Sequence, residues 1–352
     1  MLKRFLTFCC LFGWYTVMQA QTCTAPGQNP STAFPVCGTS TFYQDIVPNC
    51  GGKDIPGVCQ SDQITDMNPF WYKFTCFESG TLGFIIEPDD QLDDYDWHLF
   101  DITGKDPNDV YTNASLTVTY NWSGNAGNTG ASEAGNSLFN CGGYGYPTFS
   151  SMATLIKGHD YILLVSHFTT FRPGEKGYKL SFGGGTAVIT DTAQPHIKTV
   201  EVNCEGSLLR VKLNKNIKCS SIAGDGTDFT INSALVSISG STGINCTTKF
   251  DTDSLLLQLS APLPPGNYTL GVKKGSDDNT LLDYCDNQVP LTDALQFTIL
   301  PKQPTLMDSM LQVNCAPQQV TLVFQKPIHC ASVAKDGSNF IVNGTYPVQV
   351  TG

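Results

Sequence analysis

A phrase near position 200 returns 111 residues later, and that repeat constrains the fold more than any other feature of the chain. Val202-Asn203-Cys204 recurs as Val313-Asn314-Cys315. The same offset carries Lys215 onto Lys326, Ile217 onto Ile328 and Cys219 onto Cys330. It also carries Ala223-x-Asp225-Gly226 onto Ala334-x-Asp336-Gly337, Phe229 onto Phe340 and Asn232 onto Asn343. Between 202–232 and 313–343, 12 of 31 positions are identical without a gap, which chance does not produce. A period of this size repeats a domain rather than a solenoid turn. Counterparts of Cys246 and Cys285 would fall at 357 and 396, past residue 352, so the second copy is expected to be only its first half. Half a sandwich leaves an apolar face and a strand edge uncovered, so 305–352 is expected to be poorly stable alone.

Each unit reads as all-β. Thr199–Asn203, Leu208–Leu213, Phe229–Ile231, Leu235–Ser239, Leu255–Leu259, Tyr268–Lys273 and Ala294–Ile299 are short runs of β-branched and apolar residues. Turn signals such as Asp225-Gly226 and Pro264-Pro265-Gly266 separate them, as in a seven-stranded sandwich. Residues 21–190 have a different texture. Cys23–Cys59 is rich in Pro, Gly and Cys and reads as disulfide-stapled loops wrapping a core. Periodic strands then begin at Trp71–Phe77 and continue through Thr81–Ile86, Tyr95–Asp101, Leu116–Trp122, Tyr161–Phe168 and Tyr178–Phe182. This too is a sandwich, interrupted from Asn121 to Ser150. Charged residues make up 14% of the chain, against a usual ~25%, which argues against coiled coils. The net charge of −11 disfavours nucleic acid, which requires a basic footprint.

Residues 1–20 have the pattern of a secretory signal: Lys3 and Arg4, an apolar run from Phe5 to Met18, and Ala20 at the boundary. The run is shorter than the ~20 residues of a membrane span, and no transmembrane segment is expected elsewhere. Once Cys9 and Cys10 leave with the signal, the disulfide candidates fall into groups. Cys23, Cys37, Cys50, Cys59, Cys76 and Cys141 lie early, Cys204, Cys219, Cys246 and Cys285 in the middle, and Cys315 and Cys330 last. Even groups suit bridges within separate domains, and the close Cys pairs of a zinc site are missing. Cys204 and Cys219 flank one extended strand of about 23 Å, too far apart to bridge. In an up-down order Cys219, Cys246 and Cys285 gather at one end, with Cys219–Cys285 preferred. The expected organisation is a signal peptide at 1–20, a sandwich at 21–190, a second at 195–300 and an incomplete third at 305–352.

The order "LRVKLNKNIKCSSI … DFTI … LLLQLSAPLPPGNYTLGVKKGSDDNTLLD … ALQFTI" resembles the bacterial Ig-like domains of surface proteins. It covers about 195–300, and its first half returns from 305. The cysteines resemble the variant found in large secreted proteins of gliding bacteria, which often carry a gliding motility-associated, type IX sorting domain at the far C-terminus. That resemblance implies export machinery acting through a sorting domain beyond residue 352. "FWYKFTCFESGTLGFIIEP", "DYDWHLFDITG", "YILLVSHF" and "GYKLSFGGG" resemble jelly-roll modules of the CUB-like and pre-peptidase C-terminal kinds. Those bind or present and are not catalytic.

Two stretches carry candidate chemistry. Along Glu87–Asp101, alternation places Asp94, Asp96 and His98 on one strand face and Tyr95, Trp97 and Leu99 on the other. Asp94 and Asp96 can share a Ca²⁺ with loop oxygens from Asp89 or Asp90; the alternative is a solvated acidic edge that blunts aggregation. In the loop Asn121–Ser150, Trp122, Tyr144 and Tyr146 can stack on a sugar while Asn side chains bond its hydroxyls. The alternative is an insertion pinned by Cys141 with Trp122 in the core. No G-x-S-x-G, H-E-x-x-H, P-loop or dinucleotide motif is present, and His167 after an apolar strand reads as packed. The expected function is therefore a non-enzymatic secreted or cell-surface protein, binding an extracellular glycan or protein, with no cofactor other than Ca²⁺. The alternative is the accessory front of a secreted peptidase or glycosidase.

Overall fold

The computed structural model describes residues 22–57, 59, 64–169, 176–301, 303–311, 315, 318–345 and 349–351. The signal segment 1–20 and Val313-Asn314 of the repeat lie outside the described residues. The chain is all-β: among the described residues the helical elements are 3₁₀ turns of three to five residues.

The first sandwich pairs a six-stranded sheet with a five-stranded one. The larger runs in the order Phe34–Pro35, Pro69–Thr75, Asp160–His167, Tyr95–Asp101, Thr117–Asn121, Phe139–Asn140. The smaller runs Phe149–Ser150, Thr129–Ala131, Phe84–Pro88, Lys176–Phe182, Thr41–Ile46. Period-two alternation sends Tyr72, Phe74, Trp97, Leu99, Leu163 and Val165 inward against Phe84, Ile86, Leu180 and Phe182. Tyr72 and Tyr178 join across that core, hydroxyl to hydroxyl, at 2.9 Å.

The other face of the six-stranded sheet is also buried. Trp71, Phe100, Tyr120, Trp122, Ile162 and Leu164 form a second core there, beneath Ala33, Ile55 and Cys59 of the cysteine-rich segment and Val110 and Leu116 of two 3₁₀ turns. Strands covered on both faces need near-continuous apolar runs, and "YILLV" at 161–165 is one. Cys23–Cys50 and Cys59–Cys141 staple this covering layer down. Asp66 fixes it further, its carboxylate accepting from the Gly52 and Lys53 amides and from the Tyr111 hydroxyl at 2.6 Å.

The second sandwich has seven strands, six overlapping the expected ones and one at Ile238–Gly243 in place of Leu235–Ser239, in a four-stranded sheet (Ile197–Val202, Leu208–Lys218, Asp251–Leu259, Ile238–Gly243) and a three-stranded one (Phe229–Ile231, Gly266–Val272, Ala294–Ile299). Leu209, Val211, Leu213, Leu255, Leu257 and Leu259 alternate into its core. The strand from Leu208 runs on to Lys218, beyond the expected end at Leu213, through an irregularity in register between Lys212 and Ile217.

The disulfides correct the sequence reading in two ways. Cys219 pairs with Cys246, not with Cys285, because the turn after Gly243 returns beside Cys219, whose amide bonds Phe250 O at 2.9 Å. Cys285 instead pairs with Cys37 of the first sandwich, so one bridge crosses the domains rather than staying within one. Its turn is aimed there by Asp283, which accepts from the Cys285 and Asn287 amides. Cys76 is a buried free thiol, and Cys204, Cys315 and Cys330 are exposed and unpaired.

Around Cys37–Cys285 the sandwiches make an extended joint. The Phe34 ring meets Phe250 at 4.8 Å and Tyr284 at 5.3 Å. Lys73 Nζ donates to Asp251 Oδ1 at 2.8 Å, and Lys215 bridges Asp191 and Asp283. A cleft of about 380 Å³ beside it is lined by Lys73, Phe77, Asp160, Asn216 and Tyr284. Both sandwiches belong to one compact unit.

Residues from Leu300 onward belong to a second unit. Met307–Met310 pairs antiparallel with Leu322–Phe324, and a 3₁₀ turn at Cys330–Ser332 repeats the one at Cys219–Ser221. Gly226 and Gly337, in the same left-handed conformation, both donate to the alanine carbonyl three residues back. The sequence repeat is thus a repeat of local structure. Leu306, Met307, Met310, Val320 and Ile341 are exposed in this unit.

Candidate functional site

The insertion from Asn121 to Ser150 is not a loose loop. Thr129–Ala131 and Phe149–Ser150 extend the five-stranded sheet, and Phe139–Asn140 forms the far edge of the six-stranded one. Asparagine and serine side chains supply the bonds that such short strands lack. Ser150 Oγ accepts from Asn140 Nδ2 at 2.9 Å and Asn121 Nδ2 at 3.2 Å, and donates to Tyr120 O at 2.9 Å. These amides are therefore committed to the protein's own backbone and to Ser150.

The tip of the insertion presents aromatics. Gly143 and Gly145 take φ of +103° and +96°, a conformation that favours glycine, and between and after them Tyr144 and Tyr146 point outward. Tyr144 is 92% exposed and Tyr146 50%. The turn is held from behind, with Tyr146 O accepting from Ser123 Oγ at 2.9 Å and Asn125 Nδ2 at 2.6 Å. Cys141 anchors its base to Cys59. Phe139, half-exposed, packs its ring 5.0 Å from Tyr120. Trp122 does not join this surface: it is 4% exposed and packs in the outer-face core near His98. The structure keeps Tyr144 and Tyr146 together and separates Trp122 from them.

Alternation along Tyr95–Asp101 is as expected: Tyr95, Trp97 and Leu99 enter the inter-sheet core, and His98 and Phe100 the outer one. The acidic face is not solvated. Asp94 and Asp96 are 9% and 5% exposed, and Oδ1 of each lacks a hydrogen-bond partner. Burial pushes the Asp94 carboxyl up to about 6. Burial, and then the Asp94 charge, raise Asp96 well above the usual carboxylate range. His98, stacked on Phe100 at 3.9 Å and in a 3.0 Å hydrogen bond with Thr117 Oγ1, is pushed down to about 3 by burial. Asp89 is exposed beyond the Phe84–Pro88 strand of the opposite sheet, its amide bonded to Gly177 O. Among the described residues no three His, Cys, Asp or Glu side chains gather as a metal cage.

Ser166 and His167 lie on opposite faces of their strand. Ser166 Oγ donates to Met67 O at 2.6 Å. His167 is fully buried against Tyr95 and stands 3.6 Å from Asp93. They do not form a nucleophile–base pair. Sequence reasoning missed Phe34 and Phe250 at the joint, and named Cys37 and Cys285 as disulfide candidates without pairing them; the dense Asp283-Tyr284-Cys285-Asp286-Asn287 run was the available signal. No protein-family model matches the chain, and no curated protein matches it. What the fold defines is a two-sandwich, disulfide-bonded all-β protein followed by a second unit that repeats local structure of the second sandwich.

Proposed function

We propose that this is an exported, non-enzymatic surface protein whose first sandwich presents the Tyr144–Tyr146 turn to an extracellular glycan, carried on Ig-like modules. One observation carries the reading. The turn follows the Phe139–Asn140 edge strand, whereas the joint to the second sandwich uses the opposite edge, Phe34–Pro35. Five strand spacings, about 24 Å, separate these two edge strands. Exposed tyrosines on a braced, glycine-shaped turn offer flat apolar faces at little entropic cost.

Export is supported by the signal-like segment 1–20 and by four disulfides, which persist in oxidising compartments. Among the described residues no helix is long and apolar enough to cross a membrane. The repeat and its Ig-like phrases favour the type IX-sorted surface proteins of gliding bacteria as the class. The test is a glycan array probed with the chain and with Tyr144→Ala and Tyr146→Ala. A glycan bound by the native chain and at least about tenfold more weakly by the variants is expected. A silent array, or binding that both variants retain, contradicts the reading.

A further inference from the structure

The second sandwich holds a cluster that neither its core nor the joint explains. Asp228, at the start of the Phe229–Ile231 strand, is 0% exposed. Its Oδ2 accepts from the Ala223 amide at 2.7 Å, while its Oδ1 is buried with no partner. That orphaned oxygen points at the turn following Gly266–Val272. A β-carbon on Gly275 would overlap Asp228 Oδ1 and stand 2.9 Å from Asp277 Oδ1. The two carboxylate oxygens therefore close on one point, and glycine is the residue that leaves it open. Asn279 Oδ1, in the same turn, is a second buried oxygen without a partner. The amide of Asn279 is itself held by Asp277, with Nδ2 donating to Asp277 O at 3.2 Å. Asp225 lies close enough to raise the Asp228 carboxyl further, after burial and Asp277. Among the described residues no lysine or arginine pairs with Asp225, Asp228 or Asp277; Lys274 pairs with Asp278 instead.

We propose that Asp228 Oδ1, Asp277 Oδ1 and Asn279 Oδ1 form a divalent-cation site of the Ca²⁺ class. Every donor is a hard oxygen, and none is a sulfur or imidazole nitrogen, which excludes the usual zinc and copper chemistry. The two carboxylate oxygens stand 2.4 and 2.9 Å from one point, close to the roughly 2.3–2.6 Å at which Ca²⁺ takes oxygen ligands. Two carboxylates and one amide, in place of a cage of three acids, are the donor set of a weak extracellular site with Kd of about 10⁻⁴–10⁻³ M. A bound ion would pin the 275–279 turn to the Asp228 strand.

The repeat contains its own control. Asn339 stands where Asp228 does, one period later, and its Oδ1 accepts from the Ala334 amide in the same bond. Asparagine thus keeps the structural bond and replaces the orphaned oxygen with a donor NH₂. Asp228→Asn is accordingly a change that this fold already accommodates.

The test is calorimetric titration of the full chain with CaCl₂, and separately with MgCl₂, after chelator treatment. Saturable Ca²⁺ binding is expected, weakened at least about tenfold by Asp228→Asn and by the exposed Asp277→Asn, and unchanged by Asp96→Asn. Asp277→Asn keeps the test decisive if Asp228→Asn folds poorly. Absence of saturable binding at millimolar Ca²⁺ would overturn the proposal. So would binding that both site variants retain, or binding lost only in Asp96→Asn, which would place the ion on the first sandwich.

Discussion

Asp94, Asp96 and His98 occupy one face of one strand, and burial drives the acids and the base toward their neutral forms. A carboxyl whose folded pKa lies above its ordinary 3.8 holds its proton more tightly in the folded chain. Its stabilising contribution is full below pH 3.8 and is lost as pH rises toward the folded value. His98 runs the other way: its contribution is full above 6.5 and is lost as pH falls toward 3. Comparing the native chain with Asp96→Asn cancels the histidine. The variant should gain relative stability as pH rises from 4 toward 7, by up to about 1.4 kcal/mol for each pH unit in which protonation of Asp96 differs between states. Urea unfolding at the two pH values, in chelator, reads this out; a pH-independent difference would contradict the burial account. Strand alternation made this face legible in the sequence. What hid its burial is that the cover comes from Ala33, Ile55 and Cys59, in a segment whose own sequence has no period to read.

At the level of elements, the strands with four or more alternating residues were legible, because period two leaves a pattern only over that length. Tyr95–Asp101 and Ala294–Ile299 sit where the sequence places them, as does Phe229–Ile231, which is only three residues long and was marked instead by the Asp225-Gly226 turn before it. Thr129–Ala131, Phe139–Asn140 and Phe149–Ser150 are too short to show a period, and their pairing rests on side-chain bonds to Ser150 from residues ten and 29 positions away. Thr41–Ile46 was hidden differently: as an edge strand it exposes Tyr43 and Ile46 and buries no clean face. Replacing Ser150 by Ala removes one hydrogen bond from each of two side-chain amides, leaving Asn121 Nδ2 with Pro147 O and Asn140 Nδ2 with Phe149 O, and deprives Tyr120 O of its Ser150 donor. The expected cost is about 1–3 kcal/mol, with faster amide exchange confined to 121–150. Hydrogen exchange that leaves this segment as protected as before would show that the short strands hold without Ser150.

For the whole molecule, the joint decides whether the sandwiches act as one body or as beads on a linker. The Phe34–Phe250–Tyr284 ring cluster, the Lys73–Asp251 pair and the Lys215 bridge make a packed contact, and Cys37–Cys285 closes it covalently. That bridge spans 248 residues, so the chain-entropy argument assigns it on the order of 5 kcal/mol. Even cysteine counts in each domain concealed it, since parity is silent once Cys76 and Cys204 stay unpaired. The proposed presentation of the Tyr144–Tyr146 tip relies on this joint between the two sandwiches. Peptide mapping of the unreduced chain tests this most directly. A single cross-linked peptide joining Cys37 to Cys285, alongside Cys219–Cys246, is the predicted result; recovery of Cys219–Cys285, or of a Cys37 bonded within its own sandwich, would contradict it.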